Sequence, residues 1–230
     1  MANLITQKVN LQAGEKRPED LLIKLSEANK KFSKSKDRTK YLEDLKNIFE
    51  LSGYPQVTTE SKLFLGGFIE GEGSINVSCK CLKTAKFGVI LDPEFSITQH
   101  VNGFATLYLA LAVLNAGRIS HKSGSNATLV FKIDNRRTLE EKVLPFFEQY
   151  VVPYGSTEKI RRLGKLKEFL DLYNQNVHTK LDSFVKLLLP IWDSMRKQVG
   201  QSNQSFPDLQ SAQDYAIQFA NAKTQQNKTP

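Results

Sequence analysis

Two glutamates stand at the end of an apolar stretch of the sequence. The residues from Leu63 to Ile69 are apolar on nearly every side of a helix, which predicts a buried helix. Glu70 and Glu72 then fall at its carboxyl end, where the helix macrodipole disfavours each negative charge by ~0.3–1 kcal/mol. A bound cation would reverse that effect, so the two carboxylates are candidate ligands for a divalent metal ion.

Two glycines lie inside the same helix. Gly66 and Gly67 each lower the stability of a helix by about 1 kcal/mol relative to alanine. Glycine is favoured at such positions where another backbone approaches closely. We therefore expect two chains to cross in parallel through a helix face containing Phe64, Gly66, Gly67 and Glu70. Their acidic ends would converge, as paired carboxylates do in two-metal phosphodiester hydrolysis. The alternative is a glycine-terminated helix with two solvated glutamates.

The elements around this helix predict an α+β fold. A cap at Thr58 or Thr59 begins the helix, and Ile75, Val77 and Cys79 then alternate with polar residues, as in a half-buried strand. Further segments follow in the order strand, helix, strand, strand and helices: 87–99, 105–116 closed by Gly117, 118–122, 128–133, 139–150, 157–174, 181–199 and 206–222. We expect an antiparallel sheet covered by helices on one face.

The amino-terminal region is predicted to be a helical extension. A helix opens at Pro18, the run Lys30–Lys40 is strongly basic, and a second helix is expected to end at Gly53 and Pro55. The basic run permits contacts with the phosphates that flank a target. The predicted organisation is an extension over 1–57, a main domain over 58–225 and a polar tail over 226–230.

The uncovered face of the sheet is predicted to be polar and basic. Hydrogen-bonding side chains on such a face suit base edges and phosphates, although an ordinary solvated face is the alternative. With residues of the connecting turns, the predicted DNA-binding set is Asn76, Ser78, Lys80, Lys86, Glu94, Ser96, Thr98, Arg118, Ser120, Lys122, Ser123, Thr128 and Lys132.

The composition favours an anionic partner. The chain carries 32 lysines and arginines against 24 aspartates and glutamates, a net charge of +8, which a merely soluble protein could also have. Cys79 and Cys81 suit neither a disulfide framework nor a four-ligand zinc site, and the histidines lack zinc-ligand spacing. No secretory signal, transit peptide, membrane span or phosphate loop is evident, so residence in an organelle would require synthesis there.

The motif resembles that of a known family. Its residues are Leu65-Gly66-Gly67-Phe68-Ile69-Glu70-Gly71-Glu72-Gly73, and this segment looks like the LAGLIDADG motif of homing endonucleases. The segments 95–99 and 122–128 further resemble single-motif, homodimeric enzymes encoded by group I introns of chloroplast large-subunit rRNA genes. The resemblance covers roughly residues 58–225 and implies an αββαββα core with a saddle-shaped, four-stranded antiparallel sheet.

This resemblance also implies roles for particular residues. Glu72 would be the direct metal ligand, and Gly71 would offer its backbone carbonyl to the same ion. Gln99 would organise metal-bound water, with a satisfied amide at the edge of the core as the alternative. Glu70 would support helix packing. The implied ion is Mg²⁺, with Mn²⁺ or Ca²⁺ as other occupants of the same site.

The sequence departs from the family pattern at three places. Glutamate replaces aspartate at both acidic positions, which keeps the charge and lengthens the side chain by one methylene. Gly103 stands where many relatives carry a basic residue, and the segment 151–155 lacks a lysine that is common there. The positive charge of the active centre must come from elsewhere, and Arg118, Lys122 and His100 are the candidates.

One motif copy implies a homodimer with a long, pseudo-palindromic target. The predicted activity is cleavage of both strands of double-stranded DNA, in an organellar large-subunit rRNA gene, without a nucleotide cofactor or a membrane. The chloroplast is the expected location and the mitochondrion the second choice. The alternatives are an intron maturase that binds RNA and a cleavage-dead DNA-binding regulator of the same fold.

Overall fold

Helices and strands follow one another in the predicted order. The computed structural model describes residues 5–16, 18–196 and 205–226. Within them the strands are β1 Gly73–Cys81, β2 Val89–His100, β3 Arg118–His121 and β4 Thr128–Ile133. The helices are α1 Glu19–Ser35, α2 Arg38–Ile48, α3 Thr59–Glu72, α4 Phe104–Leu114, α5 Arg136–Thr138, α6 Leu144–Tyr150, α7 Thr157–Asn174, α8 Leu181–Ser183, α9 Leu189–Met195 and α10 Leu209–Gln226. The end of the predicted helix 181–199 and most of the predicted tail lie outside the described residues.

Contacts divide the chain into two compact units. Unit 1 comprises Met1–Ser74 and Phe95–Ser156, and unit 2 comprises Ile75–Glu94 and Thr157–Pro230. The amino-terminal helices therefore share a unit with the motif helix α3. The predicted boundary at residue 57 does not coincide with a division between units, and a separate function for residues 1–57 stays a prediction.

The four strands form one antiparallel sheet in the order β1-β2-β4-β3. In unit 1, β4 pairs with β2 through Ser96 and Lys132 and with β3 through Arg118 and Lys132. Burial alternates strictly along β4, as expected for a strand with one dry and one wet face. The predicted α+β class and the four-stranded antiparallel sheet are confirmed.

Helix α3 begins and ends at defined residues. The Thr58 hydroxyl accepts a hydrogen bond from Ser61 N at 3.2 Å, and the Ser61 hydroxyl accepts one from Thr58 N at 2.8 Å. This reciprocal capping box satisfies two backbone N–H groups that would otherwise lack partners. At the other end Gly73 has φ −78° and ψ 138°, so the chain passes directly from the helix into β1.

Aromatic rings fill the core of unit 1 beneath the sheet. Phe95 on β2 packs edge to face with Phe131 on β4 at a centroid distance of 6.2 Å and with Phe147 on α6 at 5.3 Å. Helix α4 also packs on β3 and β4, and its buried side chains include Phe104 and Leu111. The dry face of this part of the sheet is therefore covered, which leaves the polar face for a partner.

Several predicted element ends were wrong. Helix α4 stops at Leu114 because Asn115, with φ 45°, takes the left-handed conformation expected of Gly117. Helix α2 stops at Ile48, before Gly53, and Glu50 has φ 48°. The helix predicted from Phe206 begins at Leu209, with Phe206 buried ahead of it. These ends depend on single left-handed residues or on packing, which periodicity does not encode.

Two predicted continuous helices contain a wider turn before a proline. The segment from Leu139 to Val143 is π-helical before Pro145, and the one from Phe184 to Leu188 is π-helical before Pro190. A proline ring clashes with the carbonyl four residues earlier in an α-helix. The wider turns accommodate the prolines without ending either helical segment.

The first two helices cover the edge strand β3. Tyr41 on α2 accepts a hydrogen bond from Ile119 N at 3.0 Å and donates one to Asn29 Oδ1 at 2.8 Å, while Asn29 Nδ2 donates to Ile119 O at 2.9 Å. Arg38 donates to Gly117 O at 2.7 Å. These side chains supply the partners that an edge strand otherwise leaves unpaired. Burial raises the pKa of Tyr41 to about 12, so its hydroxyl stays protonated at neutral pH.

We expect Tyr41→Phe to lower the free energy of unfolding by about 1–3 kcal/mol, because it leaves the Ile119 N–H and the Asn29 carbonyl oxygen without partners in a dry site. Urea denaturation measures the loss, and amide hydrogen exchange locates it at Ile119. Tyr54, whose side chain is 52% exposed, provides the control, and Tyr54→Phe should change stability by less than about 0.5 kcal/mol. Equal stability of the two variants would contradict the assignment.

No helix among the described residues combines the length and the apolar character needed to cross a bilayer.

Candidate active site and nucleic-acid interface

The end of α3 presents one free carboxylate. Glu72 is exposed at the last helical position and makes no hydrogen bond or ion pair with any described residue. Gly71 beside it is also exposed, and a Cβ at Gly71 would have nothing within 4 Å. The final carbonyls of a helix lack intrahelical donors, so this terminus offers backbone oxygens next to the carboxylate. The Glu72 side chain and the Gly71 carbonyl are therefore free to bind a cation.

The other motif glutamate is turned toward its own chain. Glu70 Oε1 accepts a hydrogen bond from Ser156 N at 3.0 Å. Its Oε2 is buried without a hydrogen-bond partner among the described residues and lies 3.3 Å from the Cβ position of Gly155. Glu70 thus joins α3 to the segment after α6, and its packing role stays a prediction.

The two motif glycines face different surroundings. Gly66 is buried, and a Cβ there would overlap the carbonyl oxygen of Tyr150 and lie 3.0 Å from its carbonyl carbon. Gly67 is exposed, with nothing within 4 Å of a Cβ. The close backbone approach predicted at Gly66 is made by the chain's own α6, so Gly66 does not belong to the outer face. Of the two, only Gly67 is open to a partner helix.

An apolar strip surrounds Gly67. Leu63 is 47% exposed and Phe64 is 56% exposed, unusually high values for large apolar side chains in the middle of a helix. Phe64 also packs on Phe68, with ring centroids 6.3 Å apart. We call Leu63, Phe64, Gly67 and Gly71 the α3 outer face. It ends beside Glu72.

Gln99 lies half-buried near the end of β2, opposite Leu129 on β4. Its Oε1 accepts a hydrogen bond from His100 N at 2.8 Å. The Nε2 group has no partner among the described residues and remains available as a donor. A Cβ at Gly103 would lie 2.5 Å from Gln99 Cγ and 2.6 Å from Cδ. Gly103, which departs from the family pattern, thus makes room for the Gln99 side chain.

Polar residues of unit 1 form rows across three strands. Ser96, Lys132 and Arg118 make one row, and Thr98 and Ser120 lie on either side of Val130 in the next. A third row brings His100 beside Thr128, whose carbonyl accepts a hydrogen bond from Lys122 N at 3.0 Å. The structure therefore places six of the predicted contact residues together on one face: Ser96, Thr98, Arg118, Ser120, Thr128 and Lys132.

Acidic residues pair with part of the basic set. Arg118 contacts Asp134 at 3.1 Å, and in unit 2 Lys80 contacts Asp92 at 3.0 Å. Both pairs are largely exposed, so they stabilise little and can exchange for phosphate contacts. Sequence reasoning missed both aspartates, although Asp92 is in phase with Glu94 and could have been found from the alternation.

The remaining predicted contact residues lie on the strands of unit 2 and on turns. Asn76 and Ser78 are half-buried on β1, Glu94 is half-buried on β2, and Lys86 is exposed in the turn between these strands. Ser123 is exposed in the turn between β3 and β4. Each is thus reachable from solvent, but no contact of these residues identifies a ligand.

Zinc and thiol chemistry would need clustered ligands or a reactive cysteine. Where the chain is described, no three His, Cys, Asp or Glu side chains lie close enough together to hold a metal ion. Both cysteines are free thiols, with Cys79 buried and Cys81 exposed, and burial raises the pKa of Cys79 to about 12. Glu72 is therefore not part of a three-ligand side-chain cluster within the described residues.

Comparison with known proteins gives consistent matches. The LAGLIDADG endonuclease family model matches residues 65–170. DNA endonuclease I-CeuI of Chlamydomonas moewusii is 56% identical over 209 residues, which cover 91% of this chain and 95% of that protein.

Solved structures extend the likeness to the fold. The group I intron-encoded homing endonuclease I-CeuI complexed with DNA matches with a TM-score of 0.86 over 90% of this chain and 100% of that chain. The archaeal intron-encoded homing endonuclease I-Vdi141I complexed with DNA matches with a TM-score of 0.60 and 27% identity, over 70% of this chain and 96% of that chain. This chain belongs to the LAGLIDADG endonuclease family.

Proposed function

We propose that this protein is a homodimeric, site-specific homing endonuclease that hydrolyses both strands of double-stranded DNA. The observation that carries the proposal is the free, exposed carboxylate of Glu72 at the end of an exposed apolar helix face. Family membership and the DNA complexes of two similar proteins support it.

A second copy of the chain would complete the site. The α3 outer face exposes Leu63 and Phe64 around an open Gly67, which suits close packing of two helices. A two-fold axis along this face brings the two Glu72 carboxylates toward each other. One motif per chain then gives one catalytic centre per dimer and a pseudo-palindromic target.

The oxygen donors at the end of α3 fit a hard divalent cation. LAGLIDADG endonucleases use divalent metal ions, and we propose Mg²⁺ here, held by the Glu72 carboxylate and the Gly71 carbonyl. When bound, the metal neutralises charge on the scissile phosphates and lowers the pKa of attacking water. Mn²⁺ and Ca²⁺ take the same oxygen ligands. Glu70 is proposed to support packing rather than to bind the metal, because its Oε1 accepts from Ser156 N and its Oε2 is buried.

Gln99 is proposed to position the attacking water. Because its Oε1 accepts from His100 N, the Nε2 group can donate to a water or to a phosphate oxygen. His100 is exposed and uses Nδ1 to accept from Asn102 N at 3.2 Å, which leaves Nε2 for a phosphate. His100 and Lys122 are candidates for the missing positive charge, whereas Arg118 is already paired with Asp134.

The polar rows of the sheet are proposed to read the target. Serine and threonine hydroxyls there can bond to base edges, while Lys132 and Lys122 reach phosphates. We also propose that Asn76, Ser78, Lys80, Lys86, Glu94 and Ser123 contact the target. The closeness to a group I intron-encoded enzyme of Chlamydomonas supports a target in a chloroplast large-subunit rRNA gene and residence in the chloroplast.

A cleavage assay on cloned ribosomal DNA tests the proposal. Plasmids carrying segments of intronless organellar large-subunit rRNA genes are incubated with the protein and Mg²⁺, and the ends of linear products are sequenced. We expect cutting at one site, in both strands, that EDTA prevents. Binding without cutting would identify a DNA-binding regulator, and preference for folded intron RNA over duplex would identify a maturase.

A further inference from the structure

A basic groove runs between α1 and β3. Its volume is about 550 Å³, and α1 contributes Leu22, Leu25, Ser26, Asn29, Lys30, Ser33 and Lys34, whereas β3 contributes Arg118, Ser120 and His121. None of these lining residues is acidic. We call this feature the α1–β3 groove.

Both sides of the groove hold donors for an anion. Lys30 and Lys34 are one helical turn apart and exposed, and neither forms an ion pair with a described residue. The hydroxyls of Ser26 and Ser33 lie on the same helix side. Across the groove, Arg118 adds a guanidinium group, which pairs with Asp134 at 3.1 Å, and Ser120 adds a further hydroxyl.

The groove continues the polar face of the sheet. Arg118 and Ser120 belong both to the rows formed with Lys132 and Val130 and to the lining of the groove. A duplex that contacts the polar rows of the sheet would therefore extend into the α1–β3 groove. Helix α1 is also held in place, because Asn29 donates to the backbone carbonyl of Ile119 on β3 and accepts a hydrogen bond from Tyr41 on α2. Its lysines are carried on an anchored helix.

We propose that the α1–β3 groove binds the phosphate backbone of the target duplex, through Lys30 and Lys34, beyond the contacts of the sheet. This proposal rests on the proposed DNA-cleaving function. Charge complementarity carries it: two lysines that form no ion pair with a described residue, together with three hydroxyls, line a groove whose lining residues include no carboxylate. Phosphates bind such donors regardless of base sequence, so the groove adds affinity and register rather than base readout.

The salt dependence of binding tests this proposal. Each neutralised phosphate contributes about 0.9 to the slope of log K against log salt concentration. Lys30→Gln/Lys34→Gln removes two lysines per chain, so we expect the slope of a dimer to fall by about 3 to 4. In the wild-type complex, ethylation of the phosphates that contact the groove should interfere with binding at two positions related by the two-fold axis. In the variant this interference should disappear at both positions.

A matched variant separates the groove from overall charge. Lys31→Gln/Lys36→Gln removes the same charge from exposed positions at the carboxyl end of α1, outside the groove lining, where neither lysine forms an ion pair with a described residue, and its slope should change by less than about 1. Circular dichroism and melting curves check that both variants fold. Equal slopes for the two variants, unchanged ethylation interference, or a slope change seen only with folded RNA would overturn the proposal.

Assays of the wild-type protein distinguish failure of the groove proposal from failure of the proposed function. If it binds and cuts duplex while the groove variant retains the wild-type slope, the groove proposal alone fails. If the wild-type protein neither binds nor cuts any organellar ribosomal duplex, the proposed function fails first.

Discussion

Cleavage by Glu72→Gln should be at least about 10³-fold slower than cleavage by the wild-type protein in single-turnover assays with Mg²⁺. The carboxylate is the one free charged ligand at the end of α3, and the amide keeps its size while removing its charge. A metal ion supplies several kcal/mol of transition-state stabilisation, and each 1.36 kcal/mol corresponds to a factor of ten in rate. Quenched time courses on a labelled target duplex measure the loss.

Duplex binding should survive the same substitution. Removing a negative charge beside the scissile phosphates reduces repulsion, so the dissociation constant should stay within about threefold of wild type or decrease. Retained binding shows that the variant is folded and dimeric. Cutting at the wild-type rate would remove Glu72 from the mechanism.

Glu70→Gln provides the matched control. Its amide oxygen can still accept the hydrogen bond from Ser156 N, because only the charge is lost. We expect less than about a tenfold loss of cleavage rate, as metal binding is not affected directly. An equal loss for the two variants would show that the motif glutamates act together at the metal.

The sequence was sufficient to predict the elements that position this site. Hydrophobic periodicity changes from helical to alternating at Gly73, and α3 and β1 meet there in the structure. The alternation also predicted which residues of β4 face outward. These are local properties, because the hydrophobic pattern of a helix or strand depends only on the residues within that element.

Long-range contacts could not be predicted in the same way. Gly66 and Gly67 are adjacent and identical in type, yet Tyr150 covers one of them and leaves the other open. The hydrogen bond from Ile119 N to the Tyr41 hydroxyl joins residues that are 78 positions apart. Such pairings depend on how elements pack in three dimensions, which one sequence without related sequences does not specify.

The same limit applies to charge on the sheet. The alternation of polar and apolar residues predicted that Lys80 and Arg118 face outward. Their ion-pair partners, Asp92 and Asp134, became evident only from the distances between side chains. Net charge therefore overstates how much positive charge the free sheet presents. Lys30 and Lys34, which have no such partners in the part of the chain that the structure describes, contribute more per residue to an electrostatic interface.

Substituting Gly67 with leucine should weaken dimerisation without preventing the single chain from folding. The side chain would project from the α3 outer face into open space in one chain, but it would collide with a helix packed against that face. We expect the dimer dissociation constant to rise at least about 100-fold, which is about 2.7 kcal/mol, and cleavage to be lost at concentrations where the variant is monomeric. Sedimentation velocity and the plasmid assay measure the two effects.

Gly66→Ala, one residue earlier, should have the opposite pattern. Its Cβ would overlap the Tyr150 carbonyl oxygen, so the chain itself should lose about 1–3 kcal/mol of unfolding free energy. Gly67→Leu should not lose stability and should gain up to about 1 kcal/mol, since it removes a glycine from a helix interior. If Gly67→Leu remains a dimer that cuts its target, the two chains meet elsewhere, and the two Glu72 carboxylates need another route to a shared centre.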